Sequence, residues 1–484
     1  MDIIATNHLL TLLFSMIVVM GYYITPMRFR WIVLLCASLV FYFLAEPWLI
    51  LLGLSEAVWT WWVARKLTQE TIKKRWLFAG IIPLLLSLFI FKYLGFFCSS
   101  VSMLLAKMGI AFDASFIKIA MPLGISYYTF KLLAYQIDVY RGKYQPEPNV
   151  GHFLTYALYF PQIVCGPIQR PHDFLAQIQD NCKFNADLMN QGIRRIILGL
   201  FKITVLANPV IDYVNKAFER YPTYSGLTLL CAAFFYTILI YADFSGCSDI
   251  AIGTSNLFGL SCPQNFRAPY FSHNIREFWK RWHISLTSWL KDYIYISLGG
   301  NRCHPLRAKL NVFITFLVSG LWHGANWTFI FWGFLHGIWN VLTPRPKKKE
   351  DEPQGKQNNP FLTNLKGAAS IVFTFLGVTV GWVFFRAESI TDAFGYLARL
   401  VTHFSLSMAS IQEAITRFTG DNTSIPAFLT FTILLALYAI FEKKILHPDT
   451  HDTKLLPTPW IVFFFISMIL FGNFGQSKFV YANF

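Results

Sequence analysis

Charge is scarce in this sequence. Asp, Glu, Lys and Arg together make up 14% of its 484 residues, against about a quarter in soluble domains, and that scarcity excludes a solvated globular protein. Cysteine supplies no framework. The eight cysteines form no Cys-x-x-Cys pair and several fall within or beside apolar runs, so free thiols are expected, with neither a disulfide scaffold nor a bound metal. No fixed-period repeat and no pair of matching halves is visible, which weakens a transporter built from internal repeats. Basic residues are missing ahead of the first apolar run, and no small-residue cleavage site follows it. The segment from His8 to about Tyr23 therefore reads as a retained span, not a signal peptide.

What is abundant is apolar and aromatic. Hydrophobic residues reach 55% and aromatic residues 18%, with 48 Phe, a composition suited to lipid contact, interfacial belts and apolar tunnels. The formal charge of +15 does not indicate nucleic acid, because the basic residues sit in short clusters between apolar runs, where they act as topology signals. Apolar windows recur near 8–25, 31–46, 48–63, 76–96, 117–137, 152–166, 190–210, 226–244, 309–322, 325–342, 362–385, 425–441 and 457–472. Since a spanning helix needs about 20 apolar residues, the expectation is an all-α polytopic membrane protein of roughly ten to thirteen spans, some of them half-helices. Arg28, Arg30, Arg65, Lys66 and Lys73 to Arg75 place two loops in the cytoplasm, as do Lys347 to Lys349 and Lys443 with Lys444. Both termini then lie outside, as does 386–424. The stretch 343–361, rich in Pro, Gln, Asn and charge, cannot bury a core and reads as a cytoplasmic linker.

Three stretches could carry chemistry. Asn311 to Leu342 is strongly apolar yet holds two histidines, and ionisable groups at membrane depth are costly unless they face a cavity or a partner. His323 lies between Trp322 and Gly324, with Asn326 three residues on, a setting for a neutral imidazole acting as general base. The plain alternative is a buried histidine satisfied by a backbone carbonyl. His336, thirteen residues later, would point about 220° away and lie roughly 20 Å along one continuous helix, so it cannot pair with His323 unless the helix breaks. Packing or an interhelical hydrogen bond is its expected role.

Ser272 to Gly300 is too charged to span. Ile275, Phe278, Trp279, Trp282, Trp289 and Tyr293 recur near helical spacing, while Arg276, Lys280, His283 and Thr287 fall on a polar stripe. An interfacial or re-entrant amphipathic helix is expected. Either it simply lies on the cytoplasmic leaflet, or His283 sits where a phosphate-bearing donor would meet Arg276, Lys280 and Arg281. In Tyr241 to Leu260, Asp243 and Asp249 sit among Ser and Gly directly after an apolar run, which suggests a structural network reaching Arg or Trp on neighbouring helices. Met121 to Arg141 has a similar polar character and reads as cavity lining. The tail, residues 473–484, ends in aromatic residues. It is an interfacial anchor, or it presents the Tyr481 hydroxyl on the outer face to take up an acyl group.

Together, FWKRWHISLTSWLKDYIYISLGGN (278–301), GLWHGANWTFIFWGFLHG (320–337), YADFSGCSDIAIG (241–253) and YFPQIVCGPIQRP (159–171) closely resemble the membrane-bound O-acyltransferase family. The likeness is strongest to its bacterial branch of alginate and peptidoglycan O-acetylases, and more distant to teichoic acid D-alanine transfer. The resemblance implies one membrane-embedded domain over residues 1–484, a ring of tilted helices around a central tunnel. It makes His323 the catalytic histidine and His283 the second motif histidine, and FVYANF (479–484) looks like the relay tail of these systems, which supports Tyr481.

The implied mechanism is transfer of an acetyl group from cytoplasmic acetyl-CoA, a substrate and not a resident cofactor. Arg276, Lys280, Arg281 and Trp282 would hold the donor, and Trp322, Asn326, Asp243, Asp249 and His336 would line or brace the tunnel. An extracytoplasmic partner of the SGNH-transferase type is implied, since no appended soluble transferase domain is present, and the polysaccharide acceptor would be reached indirectly. The site implied is the bacterial inner membrane, and alginate, peptidoglycan and cellulose stay open as acceptors. A polysaccharide-precursor flippase and a non-enzymatic scaffold are the competing readings. The flippase needs no thioester, and the scaffold makes histidine substitutions silent.

Overall fold

The structure is a computed structural model that describes residues 8–68, 72–112, 119–180, 183–344, 360–419, 425–446 and 456–475. Those residues form helices and connecting turns, with no strand among them. That follows from the solvent: a bilayer core offers backbone amides no partner, so each apolar segment must satisfy its own by helix formation. Among the described residues, six helices are long and apolar enough to cross a membrane: Met27–Ala45, Lys73–Lys107, Ala186–Glu219, Gly226–Leu257, Asn364–Arg386 and Ile425–Ile445. Leu9–Ile24 and Thr458–Phe471 are shorter apolar helices. Burial separates their roles, since only 17% of the apolar window in Lys73–Lys107 is covered by protein, against 72% in Gly226–Leu257. The first belongs against lipid and the second in the protein core.

Several segments differ from their windows in the sequence. The apolar window near 117–137 becomes a helix only at Ile125–Tyr140, after Gly124 at φ 67°. The 152–166 window is Val150–Leu158 followed by the short Phe160–Ile163, broken at Tyr159. Tyr241 to Leu260 does not follow a helix. Residues up to Leu257 are the second half of the continuous 32-residue helix Gly226–Leu257, whose mixture of small and apolar residues lets it be buried all round. The expected single amphipathic helix is two short ones, Ile275–Arg281 and Ile284–Leu290, broken at Trp282 and His283.

The described residues divide into two compact units, one within 8–200 and 247–263, the other within 201–246 and 264–475. In the first, Gly192 and Gly253 face one another so closely that a Cβ on Gly192 would lie 2.7 Å from the Gly253 carbonyl oxygen. Small residues let helices approach in this way inside membranes, and Arg195 donates to Asp249 at 2.9 Å beside that contact.

In the second unit, Pro305–His323 and Trp327–Leu342 form a tight helical hairpin. The first arm stops at His323 because Gly324 is extended, and Asn326 caps the second arm by accepting from the Thr328 amide at 3.0 Å. The arms run antiparallel, since Gly320 meets Phe329 and Gly333 while Gly337 meets Phe313. A Cβ on Gly320 would sit 2.3 Å from the Phe329 carbonyl oxygen, and one on Gly333 would sit 2.5 Å from that of Phe316. Backbone therefore rests on backbone. On Pro360–Arg386, Gly377 and Gly381 make room instead for side chains, the rings of Trp339 and His336 of the hairpin.

Candidate active site

His323 is the last residue of the first hairpin arm and is 3% exposed. Its imidazole is enclosed by aromatic rings, with centroids at 5.0 Å for Trp322, 5.2 Å for Trp332 and 5.3 Å for Phe385. The break at Gly324 changes the relation between the two hairpin histidines. His336 lies on the returning arm, and its ring centroid is 4.8 Å from that of the same Trp332. The two histidines thus share one wall, which a continuous helix would have forbidden. The Trp279 indole N–H donates to His336 Nδ1 at 3.4 Å, which places the proton of a neutral His336 on Nε2.

His283 is fully buried, not on an exposed polar stripe. It stands between the two short helices with φ at 44°, a conformation uncommon outside glycine. Its ring meets Phe244 edge-on at 4.7 Å and Trp322 at 6.0 Å, so Trp322 touches both His283 and His323. The hold on this strained residue comes from Asn265. The backbone oxygen of Asn265 accepts from the Ile284 amide at 2.9 Å, and its side-chain oxygen accepts from the Ser285 amide at 3.2 Å and the Ser285 hydroxyl at 2.9 Å. His283 Nδ1 lies 3.1 Å from that same side-chain oxygen.

The residues expected to hold a donor fall out differently. Trp282 is fully buried, stacked on Phe278 at 5.5 Å and packed on Trp382 at 4.9 Å. Arg276 donates to the carbonyls of Asn340 at 2.7 Å and Thr343 at 3.0 Å, so it caps the C-terminus of Trp327–Leu342, where a cation suits the helix dipole. Arg281 is paired with Glu277. Lys280 is exposed and is the member of the group whose charge faces outward. Asn326 reaches across to the Glu388 carbonyl at 3.0 Å, Asp243 is buried, and Tyr481 lies outside the described residues.

Cavities open among the described residues of this unit. One, of about 280 Å³, is lined by apolar side chains with Tyr241, Tyr438 and Glu442. Another, of about 160 Å³, includes Tyr221, Arg386, Ala387 and Asp392. Neither is lined by His323 or His283, yet Phe385, which packs on His323, directly precedes two residues lining the smaller one.

The sequence reading missed Asn265, Trp332 and Phe385. Trp332 stands four residues before His336, a helical spacing that was available, whereas nothing local ties Asn265 to a histidine 18 residues away. In the first unit, the polar stretch Met121 to Arg141 contributes the buried Lys131. Lys131 points to the side-chain amide oxygen Oε1 of Gln162 at 3.4 Å and lies 4.7 Å over the Tyr156 ring. Gln162 donates to Gln169 at 2.6 Å and to the Cys262 sulfur at 3.1 Å.

Comparison with known proteins agrees with this architecture. Residues 146–340 match the description of the membrane-bound O-acyltransferase family, a range that contains both His283 and His323. The chain is 35% identical over 426 residues to a "Probable alginate O-acetylase" of Azotobacter vinelandii, covering 87% of this chain and 81% of that one. It is 29% identical to a "Peptidoglycan O-acetyltransferase" of Helicobacter pylori over 94% of this chain and 91% of that one. It is 31% identical to a "Teichoic acid D-alanyltransferase" of Streptococcus thermophilus over 54% and 68%. With six long apolar helices and a relative so similar over most of its length, the chain is a multi-pass membrane acyltransferase and belongs to the membrane-bound O-acyltransferase family.

Proposed function

We propose that this protein moves an acetyl group from cytoplasmic acetyl-CoA through the membrane for O-acetylation of an extracytoplasmic polysaccharide. The observation that carries the reading is the pair of buried imidazoles, His283 and His323, which share the indole of Trp322. Two such groups in apolar surroundings are costly to retain without a task, and proton transfer during acyl exchange is the task that imidazoles serve best. The names of the relatives in Azotobacter and Helicobacter support acetyl as the group and a cell-surface polysaccharide as the acceptor.

The physical need is clear. A thioester on a charged carrier cannot cross a bilayer, so the carbonyl must be met inside the protein and the acyl group alone passed on. The donor enters from the cytoplasmic face, with Lys280 as the cation free to meet its phosphates. On the outer face the group goes to a nucleophile, either the Tyr481 hydroxyl or a serine of a separate exported SGNH-type transferase, which completes O-acetylation of an alginate-, peptidoglycan- or cellulose-type polymer. Both termini lie outside in this arrangement, and 343–361 faces the cytoplasm.

The test is turnover of acetyl-CoA by the purified protein with an acceptor and the exported partner supplied. Release of CoA that requires both, and that is lost in His323→Ala, supports the reading. Movement of a polysaccharide precursor without any consumption of thioester would replace it with a flippase.

A further inference from the structure

The hydrogen bonds around Asn265 determine which nitrogen of His283 carries the proton. A backbone N–H can only donate, so the Asn265 side-chain atom that meets the Ser285 amide at 3.2 Å must be the oxygen. The Ser285 hydroxyl, at 2.9 Å, meets that oxygen too. His283 Nδ1 lies 3.1 Å from this same oxygen, and two acceptors cannot bond to each other. Nδ1 must therefore be the protonated nitrogen, and a neutral His283 carries its lone pair on Nε2.

The rest of the environment fits that assignment. Nε2 has no hydrogen-bond partner among the described residues, although the ring is fully buried. The rings packed against it belong to Phe244, Phe266 and Trp322, none of which carries a charge or accepts a proton. The φ of 44° at His283 is held by the Ile284 amide bonding to the Asn265 backbone oxygen at 2.9 Å. Backbone strain of this kind persists where the surroundings over-determine it. Asn265 does so with both its backbone and its side chain.

We propose that Asn265 is the positioning residue of the reaction centre: it fixes His283 as the Nδ1–H tautomer and so leaves Nε2 as the proton acceptor of the acyl transfer. This rests on the acyl-transfer reading above. In the step it serves, the attacking hydroxyl loses its proton to Nε2 as its oxygen bonds to the thioester carbonyl carbon. The tetrahedral adduct then collapses with cleavage of the C–S bond, the electron pair leaves on sulfur, and the imidazolium returns the proton to that thiolate. An Asn or Asp behind a catalytic imidazole supplies orientation and tautomer, not a proton of its own.

The experiment uses the full chain in lipid nanodiscs with ¹⁵N-labelled histidine, and identifies the His283 signals by their loss in His283→Phe. The wild type should show a protonated Nδ1 and a bare Nε2, and Asn265→Ala should show a mixture or the opposite tautomer. In acetyl-CoA turnover, Asn265→Ala should lower kcat by about 10- to 100-fold, the scale of loss when the partner orienting a metal-bound histidine is removed, with the donor KM unchanged. Asn265→Asp keeps the acceptor oxygen and should recover most of kcat. Ser285→Ala keeps the backbone donor that orients the amide and should stay near wild type. An Nε2-protonated His283 in the wild type would overturn the proposal, as would wild-type kcat in a folded Asn265→Ala, or an Asn265→Asp as slow as Asn265→Ala. Absence of turnover in the wild type would sink the acyl-transfer reading instead, and the tautomer signals alone would then decide on Asn265.

Discussion

Replacing Gly320 with alanine adds one methyl group to the hairpin where two backbones touch. The new Cβ would lie 2.3 Å from the Phe329 carbonyl oxygen, and ordinary contact begins at 3.4 Å, so the arms must separate by about 1.1 Å. No side chain can yield instead, because the obstacle is main chain. Overpacking of this kind costs about 1–3 kcal/mol, and alanine's better helix propensity returns at most about 1 kcal/mol. The net loss is expected near 1–2 kcal/mol. Activity should suffer more than stability, since His323 ends the arm that is pushed aside and a displacement of about 1 Å can cost roughly 100-fold in rate. The assay pairs thermal denaturation in detergent with acetyl-CoA turnover. Gly333→Ala, 2.5 Å from the Phe316 carbonyl oxygen, should follow closely, whereas Gly21→Ala, with nothing within 4 Å, should be neutral or slightly stabilising. A Gly320→Ala protein with the melting temperature and rate of the wild type would refute the backbone contact.

Three further outcomes are expected. Burial alone would raise the Glu413 carboxyl, but hydrogen bonds from Ser225 and Thr228, with Arg417 nearby, bring it below the ordinary glutamate range. Its contribution is therefore complete above the unfolded value of about 4.3 and is lost as pH falls through the lower folded value. The gap in thermal stability between wild type and Glu413→Gln should be present at neutral pH and close on acidification, and a gap independent of pH would contradict this. Asp249→Ala strips the partner from Arg195, which is 22% exposed, and should cost part of the about 3–5 kcal/mol seen when a fully buried pair is broken; a denaturation midpoint equal to the wild type would show that the pair contributes nothing. If Tyr481 relays the acyl group, mass spectrometry of the tail after incubation with acetyl-CoA should find it acetylated in the wild type and unmodified in Tyr481→Phe, and an unlabelled wild-type tail would remove the relay.

How much of this could be read beforehand differed by feature. Apolar runs such as 226–244 announce a helix because a bilayer forces one, and the motifs around His283 and His323 carried the family. Their neighbours were not legible. Trp332 faces both His323 and His336 only because the chain reverses at Gly324 to Asn326, and the sequence there did not say whether the helix would bend, break or continue. The segment 275–290 has convincing amphipathic spacing, yet Asn265 captures Ile284 and Ser285 and breaks it at His283. A long-range hydrogen bond overrode a local period and moved a histidine from an expected polar face into the core. Arg276 was read as a phosphate ligand from its charge and its place on the polar stripe that carries His283. Its use as a cap for Trp327–Leu342 depends on where that helix ends in space.

In the proposed function an acyl group passes from one face of the membrane to the other through the two-histidine centre. The most direct measurement places the protein in sealed vesicles, with labelled acetyl-CoA on the face bearing Lys443 and Lys444 and the acceptor with its exported transferase on the opposite face. Wild-type protein should deliver label to the acceptor, and folded His323→Ala or His283→Ala protein should not. Equal delivery by those variants, or label reaching the acceptor only when intact acetyl-CoA has leaked across, would contradict it.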